Sequence, residues 1–168
     1  MENSFLINFV VIGILVVVVV YFIQKKYLKS SPLPQNSSGS QSNTLQLQAY
    51  ERLALLVDRI ALPNLLSRTA AEGLSAAEMQ FILTKSVRDE FDYNVTQQIY
   101  VSPEIWKAVR NLKEKNILII NQIAQQLPIN SNGYDLQKGI LHFMVNDPHA
   151  NLYEVVGQAL SFEAKKLL

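Results

Sequence analysis

The sequence has no cysteine, only two histidines and no excess of charge of either sign. Its 168 residues include 15 lysine and arginine residues against 14 acidic residues, which gives a net charge of +1. Without cysteine, the chain has neither a disulfide scaffold nor a cysteine-based zinc or redox site. The balanced charge argues against a dedicated nucleic-acid-binding protein, because neutralising a phosphate backbone takes clustered lysine or arginine.

Motifs that carry enzyme chemistry are also missing. The sequence contains no G-x-S-x-G turn for a nucleophilic serine and no H-E-x-x-H motif for a zinc ion. The glycines Gly73, Gly133, Gly139 and Gly157 are isolated, so no glycine-rich loop is present to bind phosphate. We therefore expect a protein that is not an enzyme and has no cofactor.

The strongest candidate for a metal site is the group His142, Asp147 and His149, since imidazole and carboxylate are common metal ligands. Pro148 lies between the two histidines and separates the end of one predicted helix from the start of the next. Asp147 is better explained as a helix cap at this boundary. The sequence therefore predicts no bound metal.

The chain does have one long apolar run, FLINFVVIGILVVVVVYFI, from Phe5 to Ile23. As a helix rising about 1.5 Å per residue, this run spans roughly 28 Å, close to the hydrocarbon thickness of a bilayer. Acidic Glu2 precedes the run, and no small-residue cleavage site follows it, so it does not fit a removed signal peptide. We expect a transmembrane helix.

The charges around this run predict its orientation. Lys25, Lys26 and Lys29 follow the run, and no lysine or arginine precedes it. Because positive charge is retained on the cytoplasmic side, the N-terminus is expected outside and the rest of the chain in the cytoplasm. Tyr21 and Tyr27 are expected to anchor the helix at the headgroup level, with membrane lipid as the partner of residues 1–29.

The remainder of the chain divides into a linker and a helical domain. Residues 30–43 are rich in serine and proline and predict a flexible linker. Residues 44–168 show apolar spacings of three and four and no alternation of period two, which predicts helices without strands. The expected fold class is all-α, with an N-terminal transmembrane helix, a flexible tether and a compact bundle of about five helices.

Capping signals mark the helices of this domain. Ser75 and Glu78 form an S-x-x-E capping box, which predicts a helix from Ser75 to about Tyr100, with Ile99 as the last residue of its buried apolar stripe. Ser102 and Pro103 predict the start of the next helix, which ends before Pro128. Other helices are expected from Asn43 to Pro63, in a short segment after Pro63, from Asp135 to about Asn146, and after Asp147-Pro148. The last of these helices is expected to turn Leu152, Val155, Val156, Ala159 and Leu160 inward.

Two segments carry a resemblance to known sequences. The stretch LQAYERLALLVDRI, and above all FDYNVTQQIYVSPEIWKAV from Phe91 to Val109, resembles a family of bacterial single-pass membrane proteins of unknown function. This resemblance implies an inner-membrane protein with a cytoplasmic helical domain. It implies no catalytic residues.

Six residues are candidates for a protein interface, because they combine aromatic area with amide groups and carry no charge. They are Tyr93, Asn94, Gln97, Tyr100, Trp106 and Asn116. An equally physical alternative is that Tyr100 and Trp106 pack the corner between two long helices. Asn116 occupies a core-type position, where it either fixes the register with a partner helix or lies near the rim of the chain's own bundle.

The function expected from these observations is a membrane-anchored cytoplasmic adaptor or scaffold. Such a protein would associate with itself or with another protein in a membrane complex. The alternative is a small-ligand-binding or regulatory subunit of a membrane-associated enzyme or transporter. Neither function calls for nucleic acid or metal.

Overall fold

The computed structural model describes residues 36–147 and 151–168. Every regular element in these residues is helical, which confirms the all-α fold class, and residues Gln41–Leu168 form one compact unit. The described residues contain six α-helices, where the sequence predicts about five. They are α1 (Asn36–Ile60), α2 (Leu62–Ser67), α3 (Ala76–Tyr93), α4 (Pro103–Gln126), α5 (Gly133–Asn146) and α6 (Leu152–Lys165), with a 3-10 helix (Val95–Ile99) between α3 and α4.

Helix α1 begins earlier than the start predicted at Asn43, and therefore takes in the last part of the predicted linker. Full burial starts only at Ala49. Burial of its C-terminal half stabilises this helix. Because no proline lies between Asn36 and Ile60, the helix can continue from that half toward the N-terminus. The buried face of that half consists of Tyr50, Leu53, Leu56, Val57 and Ile60, as the apolar spacing predicts.

The start of α3 has the capping box that the sequence predicts. The Ser75 hydroxyl accepts a hydrogen bond from the Glu78 backbone N–H, and the Glu78 carboxylate accepts one from the Ser75 N–H at 2.8 Å. The backbone hydrogen bond from Ser75, followed by the bond from its hydroxyl, lowers the pKa of Glu78. The charged form of Glu78 is therefore favoured in the folded state.

A pH experiment tests this carboxylate. Because the pKa of Glu78 is lowered on folding, its charge stabilises the fold above the unfolded pKa of about 4.3, and this stabilisation is lost as the pH falls through the lower folded pKa. The variant Glu78→Gln keeps a capping side chain without the charge. We expect the wild type to be more stable than this variant at pH 7, with the difference shrinking at acidic pH in urea denaturation. A difference that stays constant from pH 7 to pH 3 would contradict this role.

The N-terminus of α5 lies beside that of α3 and has a second capping box, formed by Asn132 and Asp135. An antiparallel bridge pairs Ser75 with Asn132. In this bridge the Ala76 N–H donates to the Ser131 carbonyl at 2.9 Å, and the Gly133 N–H donates to the Leu74 carbonyl at 2.8 Å. The two loops before α3 and α5 are thus joined through their backbones, although they are far apart in sequence.

Helix α4 is central to the bundle and packs against α3, α5 and α6. It begins as predicted, since the Ser102 hydroxyl accepts from the Ile105 N–H at 3.4 Å and Pro103 occupies the first turn, where no N–H is needed. Its buried residues are Ile105, Val109, Leu112, Asn116, Ile117, Ile119 and Ile120. A single core therefore runs along both sides of this helix.

Helix α6 buries a narrower stripe than the sequence predicts. Val156 and Leu160 are buried, but Val155, which was expected to face inward, is 61% exposed. A residue next to a buried one lies about 100° further round the helix, so Val155 leaves the stripe that contacts α4. Asn151 precedes the helix, and its side chain makes no capping hydrogen bond, while Pro148 lies outside the described residues.

Candidate functional site

A concave surface that contains predicted interface residues lies between α1 and the C-terminal end of α3. This α1–α3 cleft has a volume of about 560 Å³. It is lined by Arg52, Leu55, Leu56 and Arg59 of α1, by Asp89, Glu90 and Tyr93 of α3, and by Asn94, the residue that ends α3. Two of the six residues that the sequence singles out, Tyr93 and Asn94, therefore belong to one cleft.

An ion pair connects the two walls of the cleft. The Arg59 Nε donates to the Glu90 carboxylate at 2.6 Å. This hydrogen bond, and then the Coulomb attraction of Glu90, raises the pKa of Arg59 above its ordinary value. A second pair, Lys85 with Asp89 at 2.5 Å, lies one turn apart on α3. Exposed pairs of this kind contribute little to stability, so their main effect here is to neutralise charge at the cleft.

Asn94 ends α3 and is buried. Its side-chain Nδ2 donates to the Glu90 carbonyl at 2.9 Å, so it satisfies one of the carbonyls that a helix end leaves without a partner. Asn94 thereby fixes the backbone that carries Tyr93, whose ring is 75% exposed at the cleft. The amide group is used within the domain, whereas the tyrosine is available to a partner.

The chain after Asn94 differs from the prediction that α3 continues to about Tyr100. Residues Val95–Ile99 form a 3-10 helix, which has about three residues per turn instead of 3.6. A spacing of four therefore no longer keeps the apolar side chains on the buried face, and the expected burial of Ile99 is wrong, since it is 72% exposed. Gln97 is buried instead.

Several large side chains are exposed within the short segment that runs from the end of α3 to the residue after the 3-10 helix. We name the set Tyr93, Val95, Ile99 and Tyr100 the Tyr93 surface, since each of its members is exposed. Single exposed apolar residues are ordinary, but several within one short segment favour a contact site. The Tyr93 surface and the α1–α3 cleft share Tyr93.

Trp106 lies at the boundary between the interior and the surface. It is half-buried on α4, and its ring packs against Phe91 of α3 with a centroid distance of 5.0 Å and an interplanar angle of 30°. The Lys113 ammonium lies 4.5 Å from the centroid of the same Phe91 ring. Trp106 therefore helps to pack α3 against α4, which corresponds to the corner-packing alternative for this residue.

Asn116 lies away from these surface residues. It is 4% exposed, and its Nδ2 donates to the Ile60 carbonyl of α1 at 2.7 Å. The chain bends at Ala61, where ψ is 129°, so the end of α1 requires a donor from elsewhere for this carbonyl. The structure thus places Asn116 in a contact between helices of one domain.

The wall of the cleft that α1 provides did not emerge from the sequence. Arg52, Leu55 and Arg59 lie on one face, three and four residues apart, beside the buried stripe. Leu55 is 60% exposed. The sequence does contain a hint of this wall, because Leu55 does not fit the spacing of the buried leucines of α1. An apolar residue outside the buried stripe indicates a binding site only when the residue that faces it across the cleft is known.

The predicted absence of a metal site concerns residues at the end of α5. The His142 Nε2 lies 3.2 Å from the Asn146 Nδ2, and the Asp147 N–H donates to the Phe143 carbonyl at the helix end. His149 lies outside the described residues. Within residues 36–147 and 151–168, no group of three or more histidine, aspartate or glutamate side chains is placed to hold a metal ion.

The predicted membrane helix is not part of the described structure. The run Phe5–Ile23, the tyrosines Tyr21 and Tyr27 and the lysines that follow the run all lie outside the described residues. Among the helices of the described residues, none combines the length and the apolar character needed to cross a bilayer.

Comparison with known proteins identifies a family for this chain. The sequence model of a family of unknown function (DUF7935) matches residues 3–167. Searches of curated proteins and of solved structures find no match. The match covers nearly the whole chain and extends over the predicted membrane run as well as the helical bundle.

Proposed function

Since this chain belongs to the family of unknown function DUF7935, we propose a function from its own residues: a membrane-anchored adaptor whose helical domain binds another protein. The observation that carries this proposal is the exposure of Leu55 and Tyr93 on the two walls of the α1–α3 cleft. Aromatic and aliphatic side chains that line a concave surface are typical anchors of protein interfaces. The adjoining Tyr93 surface enlarges the apolar area.

The cleft suits a binding role because contacts within the domain hold part of its lining in one arrangement. The Arg59–Glu90 pair bridges its walls, and the bond from Asn94 to the Glu90 carbonyl fixes the backbone beside Tyr93. A preformed site loses less conformational entropy when a partner binds. The exposed side chains can therefore contribute to affinity without prior refolding of the domain.

The anchor in this proposal is the Phe5–Ile23 run. Its length suits a bilayer, and the lysines after it favour an outside N-terminus with the helical domain in the cytoplasm. The family match covers this run together with the helical domain. With the resemblance to bacterial single-pass proteins, we infer a location in the bacterial inner membrane.

One experiment tests both parts of the proposal. The full-length chain is expressed in bacteria, membranes are washed with carbonate, and proteins in contact are cross-linked and identified by mass spectrometry. We expect the chain in the membrane pellet with a cross-linked protein. The double variant Leu55→Asp, Tyr93→Ala should reduce the adduct about tenfold or more, since loss of interface anchors commonly costs over 1 kcal/mol each. Circular dichroism should remain unchanged, because both side chains are exposed.

The matched control is Val155→Asp on α6, where the side chain is as exposed as Leu55 but lies outside the cleft. This variant should retain the adduct. Recovery of the intact chain from the carbonate supernatant would refute the anchor. An adduct that is unchanged in the cleft variant would refute the adaptor site.

A further inference from the structure

The charged side chains of the α1–α3 cleft do not balance once the ion pairs are removed. Glu90 is paired with Arg59, and Asp89 is paired with Lys85. The fourth charged residue of the lining, Arg52, is exposed and has no ion-pair partner among the described residues. The lining itself carries two arginines and two carboxylates, but Asp89 is paired with Lys85, which lies outside the lining, so Arg52 is left as the positive charge available to a partner.

This charge lies beside the apolar anchors. Arg52 and Leu55 are three residues apart on α1, so their side chains are neighbours on one face of the helix. Tyr93 faces the same cleft from α3, and buried Leu56 closes its floor. The face from Arg52 to Arg59 extends for two helical turns, or about 10 Å.

We propose that the occupant of the α1–α3 cleft is a short acidic helix of a partner protein, a proposal that rests on the adaptor function given above. A carboxylate of this helix pairs with Arg52. An aliphatic or aromatic side chain, one turn away on the same face, packs between Leu55 and Tyr93. The spacing of charge and apolar groups on the partner thus mirrors the spacing on α1.

An anionic membrane surface fits the same cleft less well. Binding to anionic lipid relies on several basic residues, each of which contributes about 1 kcal/mol near the surface. The described cleft residues provide a single unpaired cation, Arg52, beside carboxylates that are already paired. A partner helix with one carboxylate beside an apolar side chain matches the single cation and the apolar residues of the cleft. The continuous layer of phosphates on an anionic membrane does not.

The test places a photoreactive probe at the site. Tyr93→p-benzoylphenylalanine retains an aromatic ring and reacts on illumination with the segment that contacts it. This change is made in the full-length chain in native membranes, and the cross-linked peptide is sequenced by mass spectrometry. We expect a peptide of a second protein with an aspartate or glutamate one helical turn from an apolar residue. Adding Arg52→Glu should lower the yield about tenfold or more, because like charges then face each other.

Arg88→Glu is the matched control, since Arg88 is exposed on α3 but does not line the cleft. It should leave the yield within about twofold of the parent. Arg52→Gln, which removes charge without reversing it, should give an intermediate yield. Unchanged circular dichroism confirms that each variant is folded.

The outcomes separate this proposal from the adaptor function. If Leu55→Asp abolishes the adduct while Arg52→Glu leaves it unchanged, the adaptor function stands and the acidic partner is overturned. A cross-link to a second copy of this chain, to lipid, or to a segment without a carboxylate also overturns the acidic partner. If the probe captures no protein at all, both proposals fall.

Discussion

The variant Asn116→Asp is expected to lose about 3 to 5 kcal/mol of the free energy of unfolding, because it places an uncompensated charge in the interior. The side chain is 4% exposed, and its Nδ2 is the donor to the Ile60 carbonyl. Aspartate at this position presents an oxygen to that carbonyl oxygen. The change therefore removes a hydrogen bond and adds a repulsion in place of it.

The neutral variant Asn116→Leu separates these two effects. It retains the approximate volume but leaves the Ile60 carbonyl without its donor, which costs about 1 to 3 kcal/mol for a buried polar group. We expect it to lie between the wild type and Asn116→Asp. The measurement is denaturation followed by the fluorescence of Trp106, the single tryptophan of the chain, which packs on Phe91 and reports on the helical domain.

The control for both variants is Asn111→Asp, which adds the same charge to an exposed position of α4. It should change the stability by no more than about 0.5 kcal/mol. An equal loss at Asn111 and Asn116 would show that α4 is sensitive to negative charge in general. In that case the bond to Ile60 would not be the cause.

The elements that the sequence predicts well depend on residues close together in the chain. The capping box of α3 involves Ser75 and Glu78, and the start of α4 involves Ser102 and Pro103. Each signal lies within one helical turn, so the energy that fixes it is local. The same holds for the buried face of α1, which follows from the spacing of its apolar residues.

Features that join distant segments could not be read in this way. Asn116 stands out in the sequence as a polar residue at a core position, but two partners were possible: a helix of another chain or the domain's own. In the structure the partner of Asn116 is the Ile60 carbonyl of the same domain. This carbonyl needs a donor because α1 ends at the bend in the chain at Ala61. The same limit applies to the site, since Tyr93 could be named from composition while Leu55 became a candidate only when α1 was placed beside α3.

The end of α3 shows a third limit. The apolar residues Phe91, Val95 and Ile99 keep a spacing of four, which favours one continuous helix. The bond from Asn94 to the Glu90 carbonyl ends the helix instead, and the 3-10 helix that follows turns Ile99 outward. A polar side chain that competes for the backbone can thus override a regular pattern, and here it creates the exposed surface that the adaptor proposal uses.

The variant Gly133→Ala is expected to lower the free energy of unfolding by about 1 to 3 kcal/mol, as is typical of overpacking in a tight contact. A Cβ at this position would lie 2.8 Å from the Ala71 carbonyl oxygen and 3.3 Å from the Ala71 Cα. These are backbone atoms and cannot rotate away. The Gly133 N–H also donates to the Leu74 carbonyl, so relief of the clash would stretch the bridge between the two capped loops.

The matched control is Gly157→Ala in α6, where a Cβ would meet no atom within 4 Å. Here alanine is the better helix former, and we expect a gain of up to about 1 kcal/mol. The same substitution should therefore have opposite signs at two glycines, with Trp106 fluorescence as the measurement in both cases. If Gly133→Ala is also stabilising, the loops before α3 and α5 do not approach as closely as the bridge between Ser75 and Asn132 requires, and the pairing of these two helix starts would have to be abandoned.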